Sequence, residues 1–489
     1  MTQFNTQNES LCIALVAPIG VDLNLIEKLL ITEIIKLKIY SPFNSRLDQY
    51  EQYIIDISML LKNNKHVDAY NSIIEKMNMG DKKRKKLGYD GALAVEIAPK
   101  IKKNKLQVIH QLKTPEEIDY LRSYLHQKNI PFFVISVFDT IENRTKKLQS
   151  KLQFSKIKNN NQIEKLKSAN SLAQDLIDRD QKDMQNKFGQ NVSEAFPLAD
   201  FFIDASYEST ISSQIDRIIK AIFCHPHISP TLEEYGMYLA EGCGLRSRDL
   251  SRQVGAAILD NKGSILSLGC NEAPKAFGGC YWENDTPDNR DFILNVDSNY
   301  DFRNKILNEL FSILSSLNEF KKSNTSIKKI QKIGISKFIS DNKSLFKNTR
   351  IMNLIEFGRS QHAEVGAIAD AARKGISLES GILFTTVFPC HLCSRYIISS
   401  GIKKIVFIEP YPKSLTLDLY FREITFSIDS SSNTKILLKP FIGIAPRIYR
   451  KIFIYDKYLH NDKKNEDASA KSWTPNLKNW THILPFKAE

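Results

Sequence analysis

His362-Ala363-Glu364, followed by Pro389-Cys390-His391-Leu392-Cys393, is the stretch that organises the second half of this chain. Glu356 to Lys374 carries Ala367, Ile368, Ala371 and Ala372 at helical spacing and stops at Gly375, so it reads as a helix with His362 and Glu364 in or near its first turns. Ile382-Leu383-Phe384-Thr385-Thr386-Val387 reads as a buried strand. Pro389 opens a second helix in which Cys390 and Cys393 share a face, and Lys404-Ile405-Val406-Phe407-Ile408 forms a further strand after Gly401. The expected frame is strand-helix-strand, with two helix starts meeting at one point. His362, Cys390 and Cys393 there make three ligands for Zn²⁺ and leave a fourth position open, the mark of a catalytic rather than a structural site. Amides and the positive helix end hold the thiols deprotonated. His391, inside the CxxC, is expected to point away from the metal. Glu364 is placed to take a proton from a water at the open position and pass it on.

A second block stands upstream. Gln253-Val254-Gly255-Ala256-Ala257-Ile258-Leu259-Asp260 reads as a strand, Asn261-Lys262-Gly263 as a hairpin turn, and Ser264 to Leu268 as the returning strand. Gly269-Cys270-Asn271-Glu272-Ala273-Pro274 follows, and Arg246-Ser247-Arg248-Asp249 precedes. His-x-Glu with Pro-Cys-x-x-Cys is the signature of zinc nucleobase deaminases. With the Ser-Arg-Asp run, the Val-Gly-Ala strand and the Asn before Pro, this half resembles a deoxycytidylate deaminase domain of the cytidine-deaminase-like α/β/α class. The resemblance implies that Asn271 contacts the sugar hydroxyl. Arg246, Arg248 and Lys275 become candidates for the phosphate end, since arginine binds phosphate bidentately.

Composition bounds the alternatives. A chain of 489 residues has room for roughly two to four domains. No stretch approaches the ~18 apolar residues of a membrane helix, and Met1-Thr2-Gln3-Phe4-Asn5-Thr6 lacks a secretory pattern. Of seven cysteines, Cys12, Cys224, Cys243, Cys270 and Cys280 are left as reduced thiols, which places the chain in the cytoplasm. The net charge of +13 comes from scattered lysines. Only Lys82-Lys83-Arg84-Lys85-Lys86 is a tight basic run; it reads as a solvated loop, and no aromatics interleave with it to stack bases. An anionic small molecule is favoured over nucleic acid. The rival readings are a deaminase of RNA or single-stranded DNA, and a regulatory nucleotide-binding protein with a structural zinc.

The first half reads as a separate parallel-sheet domain. Leu11 to Val16 is a buried strand running through Ala17-Pro18-Ile19-Gly20-Val21-Asp22 into a helix from Leu23 to Leu37, the setting of a phosphate-binding loop. The Gly-Lys-Ser/Thr ending of a working loop is missing. Strands at Leu106–Ile109, Pro131–Val137 and Asp200–Asp204 alternate with helices at Pro115–Gln127 and Thr140–Leu152. Arg144 and Arg179 are candidate phosphate clamps, or ion pairs on helix surfaces.

Taken with Gln111-Leu112-Lys113, Gly189-Gln190-Asn191-Val192, Ala199-Asp200, Glu409-Pro410-Tyr411-Pro412-Lys413-Ser414 and Gly443-Ile444-Ala445-Pro446-Arg447, the chain resembles the two-domain anti-phage deoxycytidine nucleotide deaminases. That resemblance implies a P-loop kinase-like domain over residues 1–225 and a zinc deaminase domain over 226–460, with a helical insertion at about 291–353 and a tail at 461–489. In the insertion, Phe302, Ile306, Leu310, Leu314 and Leu317 keep helical spacing, and Lys321 to Lys332 is looser. The implied activity is conversion of dCTP or dCMP to the deoxyuridine nucleotide, depleting the pool during phage infection. Expected partners are that substrate, a nucleotide at Gly20, Val21 and Asp22, and a second copy of the chain. An RNA or protein inhibitor would restrain the enzyme, and a membrane is not among the partners.

Overall fold

The computed structural model describes residues 10–37, 53–61, 69–157, 169–181, 183, 186–295, 297–316, 335–341, 349–411, 414–426, 434–454, 472–473, 475 and 477. Lys321–Lys332 and residues 461–471 of the tail lie outside them. The chain divides into two compact units, Met1–Tyr238 with Pro440–Glu489, and Leu239–Lys439.

The first unit is built on β1 (Leu11–Val16), β2 (Ile54–Asp56), β3 (Leu106–Leu112), β4 (Phe132–Phe138), β5 (Phe201–Asp204) and β12 (Gly443–Ile444), in the order β12-β5-β4-β1-β3-β2. The five strands β1 to β5 run parallel, and β12 adds antiparallel to β5. β1 is buried throughout, as a central parallel strand covered on both faces must be. Its continuous apolar run fixes it there. Helices cover the sheet: Leu23–Lys36 buries Leu23, Ile26, Leu30, Ile31 and Ile34, and Glu208–Ile222 buries Ile211, Ile215, Ile218, Ile219 and Ile222. Thr114 caps Pro115–Gln127, its hydroxyl accepting from the Glu117 amide, a contact worth about 1 kcal/mol.

The C-terminal return is held at one buried carboxylate. Glu234 accepts from the Ile444 amide at 3.0 Å, from the Arg217 guanidinium at 2.8 Å and from the Thr231 amide at 2.8 Å. Gly443, at φ +114, meets it so closely that an added Cβ would lie 2.5 Å from Glu234 Oε1. Residues 440–453 thus go with the first sheet, where the sequence division kept them with the second. The basic run also differs from expectation. It closes the helix Ala69–Leu87 rather than forming a loop, and Arg84 within it is buried, 3.1 Å from Glu117 and 3.4 Å from Asp81.

The second unit carries β6 (Gly255–Leu259), β7 (Ile265–Cys270), β8 (Ile382–Val387), β9 (Lys404–Glu409), β10 (Ile424–Thr425) and β11 (Ile436–Pro440), ordered β10-β11-β9-β8-β6-β7. β8 and β9 are parallel, while β6 is antiparallel to both β7 and β8. The helix Ala363–Lys374 lies on this sheet through Ala363, Ala367 and Ala371. Its approach is close: a Cβ on Gly269 would sit 2.2 Å from the Ala363 carbonyl oxygen and 2.4 Å from the Ala367 amide. The helix begins later than Glu356. His362 is its N-cap, and Gln361 instead forms a bridge with Glu272, its amide donating to the Glu272 carbonyl at 3.1 Å. Cys390, not Pro389, stands at the start of the following helix, His391–Ser399. In the insertion the helix Ser298–Ser316 forms as its spacing predicts.

Candidate active site

Two helix starts bring three donors together. His362 Nδ1 lies 3.3 Å from Cys390 Sγ and 3.2 Å from Cys393 Sγ, and the two sulfurs are 3.5 Å apart. Glu364, in the first turn of its helix, places Oε2 3.5 Å from Cys393 Sγ. As N-cap, Cys390 accepts from the Cys393 amide at 3.4 Å, so the helix end fixes the sulfur's direction. A buried hydroxyl cluster fixes the chain ahead of it. Ser414 and Thr416 donate to the Pro389 carbonyl at 2.8 and 3.0 Å, and Ser394 donates to the Cys390 carbonyl at 3.0 Å.

The electrostatics follow from this crowding. Hydrogen bonding from Cys393 brings Cys390 down to about 4, with burial opposing and His362 assisting. The Cys390 sulfur raises His362 to about 9, and its bond to Cys390 together with burial pushes Cys393 up. Burial lifts the Glu364 carboxyl above the ordinary carboxylate range, and Cys390 beside it adds to the rise. Two sulfurs and one imidazole nitrogen, all within 4.8 Å of one another, fit Zn²⁺ by donor type and number, with room for a fourth ligand.

The group opens into a cavity of about 310 Å³ shared with Asn271, Asp249, Phe388 and Tyr411. Asn271 is 7 % exposed. Its Oδ1 accepts from the Val254 amide at 2.6 Å and its Nδ2 donates to the Arg252 carbonyl at 2.7 Å. The three candidate phosphate cations do not line this cavity. Arg246 stacks 3.5 Å over Trp282 and donates to the Cys280 carbonyl. Arg248 donates to the carbonyls of Leu245 and Ser247, and Lys275 pairs with Asp285 at 2.5 Å. Arg252 and Arg359 line it instead, as do Asp291, Asp297, Ser298 and Asn299 at the start of the insertion. No local spacing announced these residues: the segment before His362 reads as helix, and the helical spacing of the insertion does not show which of its residues would face a substrate.

In the first unit, Gly20, Val21 and Asp22 line a separate cavity of about 550 Å³ with His110, Lys113 and Asp180. Gly20 is required there: φ is +92, and a Cβ would lie 2.9 Å from the Arg144 carbonyl oxygen. The Ile19 amide donates to Asp180 Oδ2 at 2.7 Å, and Lys113 Nζ reaches Asp180 Oδ1 at 2.8 Å and the Ala17 carbonyl at 3.0 Å. Arg144 donates to the Ile19 carbonyl, and Arg179 pairs with Asp81 and Asp183. No helix among the described residues is long and apolar enough to cross a membrane.

Known proteins match parts of this chain. A stretch of 53 residues, 11 % of the chain, is 47 % identical to the deoxycytidylate deaminases of Enterobacteria phages T2 and T4, and spans 28 % of each. The crystal structure of dCMP deaminase from cyanophage S-TIM5 in complex with dCMP and dUMP aligns with 44 % of the chain and 99 % of its own, at 20 % identity and a TM-score of 0.23. Residues 230–409 match the family model of the cytidine and deoxycytidylate deaminase zinc-binding region, so this part of the chain is similar to the deoxycytidylate deaminases, and its His/Cys/Cys group is consistent with Zn²⁺.

Proposed function

We propose that the unit Leu239–Lys439 removes the exocyclic amine from the cytosine ring of a deoxycytidine nucleotide by hydrolysis. One observation carries the reading: the Glu364 carboxyl stands beside the His362, Cys390 and Cys393 donors at the wall of a cavity that also holds Asn271. The dCMP and dUMP in the cyanophage enzyme's structure, and the phage enzymes that match the chain, support this substrate class.

Zn²⁺ held by His362, Cys390 and Cys393 would supply Lewis acidity, which lowers the pKa of a water toward about 7. Glu364 takes that water's proton and delivers it to ring N3 as the oxygen joins C4. It then carries a proton to the departing amine, so that water's oxygen replaces nitrogen and ammonia leaves. A carboxyl raised by burial suits both directions of transfer at neutral pH. Phe388 and Tyr411 wall the cavity with aromatic surface against which a base can pack. The sequence resemblance extends the proposal to a role, depletion of dCTP and dCMP during phage infection.

The test is ammonia release by purified, zinc-replete protein offered dCTP, dCMP, CTP, cytidine and a cytosine-containing oligonucleotide. Turnover of dCTP or dCMP alone is expected. Conversion of the oligonucleotide without any mononucleotide would overturn the reading.

A further inference from the structure

We propose that Arg252 and Arg359 hold the phosphate end of the substrate, the part for which the sequence nominated Arg246, Arg248 and Lys275. The inference rests on the nucleotide reading of the site. Apart from His362, Arg252 and Arg359 are the cationic side chains among the described residues that line the cavity. They are far apart in the unit's chain, one just ahead of β6 and one in the run that enters His362.

Both guanidiniums are half engaged. Arg252 pairs with Glu409, at the end of β9. Arg359 donates through Nη1 to Asp291 at 2.7 Å and through Nη2 to the Asn289 carbonyl at 3.1 Å. A guanidinium has five N–H donors, so each keeps several for a ligand. Their side chains are 47 % and 37 % exposed, open enough to be met by an incoming anion. The counter-ions aim them in advance, which limits the rotamer entropy lost on binding.

Position along the substrate follows from the neighbours. The Arg252 carbonyl accepts from Asn271 Nδ2, so this arginine is tied to the residue expected at the sugar. Arg359 anchors the start of the insertion, whose Asp297, Ser298 and Asn299 share the cavity wall. The insertion thereby becomes part of the substrate site. Asp249, Asp291 and Asp297 also line the cavity. With Glu364 these make four carboxyl groups against two arginines, no surplus of positive charge, so each arginine matters more as phosphates are added to the substrate.

Arg252→Ala and Arg359→Ala each raise KM for the nucleotide about 10- to 100-fold, the loss expected for a charge-assisted contact. Binding of deoxycytidine, which has no phosphate, changes less than about twofold on the same ground. Lysine at either position restores part of the loss, since it returns the charge without the fork. Zinc content, unchanged in all variants, reports an intact site. Calorimetric titration of dCMP, dCTP and deoxycytidine into the Glu364→Gln protein, with and without each arginine change, reads binding independently of turnover. Absence of nucleotide turnover in the wild-type protein would sink the proposed function while that titration still tests the arginines. Equal weakening of nucleotide and nucleoside, or no weakening of either, overturns the phosphate assignment.

Discussion

Both units send a buried strand into the start of a helix, and the two junctions come out differently. After β1, the turn from Ala17 to Asp22 has its polar groups claimed by residues far along the chain: Asp180 takes the Ile19 amide, Arg144 donates to the Ile19 carbonyl, and Lys113 bridges the Ala17 carbonyl and Asp180. After β8, the claims stop at the backbone. Hydroxyls of Ser394, Ser414 and Thr416 take the carbonyls of Pro389 and Cys390, and the side chains of Cys390, Cys393, His362 and Glu364 are left facing one another. A strand-to-helix turn becomes a reaction site only where the fold leaves its donors uncommitted. In the first unit an internal carboxylate, Asp180, takes the amide of the turn instead.

The largest effect should come from the open junction. Glu364→Gln is expected to lower kcat about 100- to 10,000-fold, the range for a general acid–base group, while zinc measured by atomic emission stays bound. Wild-type turnover in that variant would break the contrast at its root. Asp180→Asn probes the closed junction. Asp180 and Lys113 are 1 % and 11 % exposed, so removing one charge of the pair costs about 3–5 kcal/mol, seen as a lower urea midpoint for the first unit. An unchanged midpoint would mean that the turn is not closed by this pair. Gly269→Ala forces a Cβ against backbone that cannot yield and should cost about 1–3 kcal/mol, with zinc loss because the displaced helix carries His362. Retained zinc with full stability would show that the sheet does not position that helix. The smallest effect belongs to Lys220→Ala, which breaks an exposed pair with Asp216 and should leave the urea midpoint within error.

What could be read in advance follows the same division. The metal group was legible because His362 and Glu364 share one helix start and Cys390 and Cys393 another, each a matter of neighbouring residues. Strands such as β1 and β8 were legible from unbroken apolar runs. Arg84 was not, because its burial depends on Glu117 and Asp81 meeting it in space. Likewise Arg252 and Arg359 are held by Glu409 and by Asp291 with the Asn289 carbonyl, all remote in sequence. The helix start at Ala363 was missed for a similar reason: the bridge between Gln361 and Glu272 holds the preceding residues out of the helix, and nothing local signals it.

The clasp of Gly443 and Ile444 at Glu234 has a consequence for synthesis. The first unit's sheet lacks its last strand until the ribosome has made everything through Ile444. The whole zinc-binding unit is therefore translated as an interlude inside an unfinished host, and it has its own core with which to fold first. A premature stop just after Lys439 would spare every residue of the metal group and still release a chain whose β5 edge is unpaired, an invitation to aggregate.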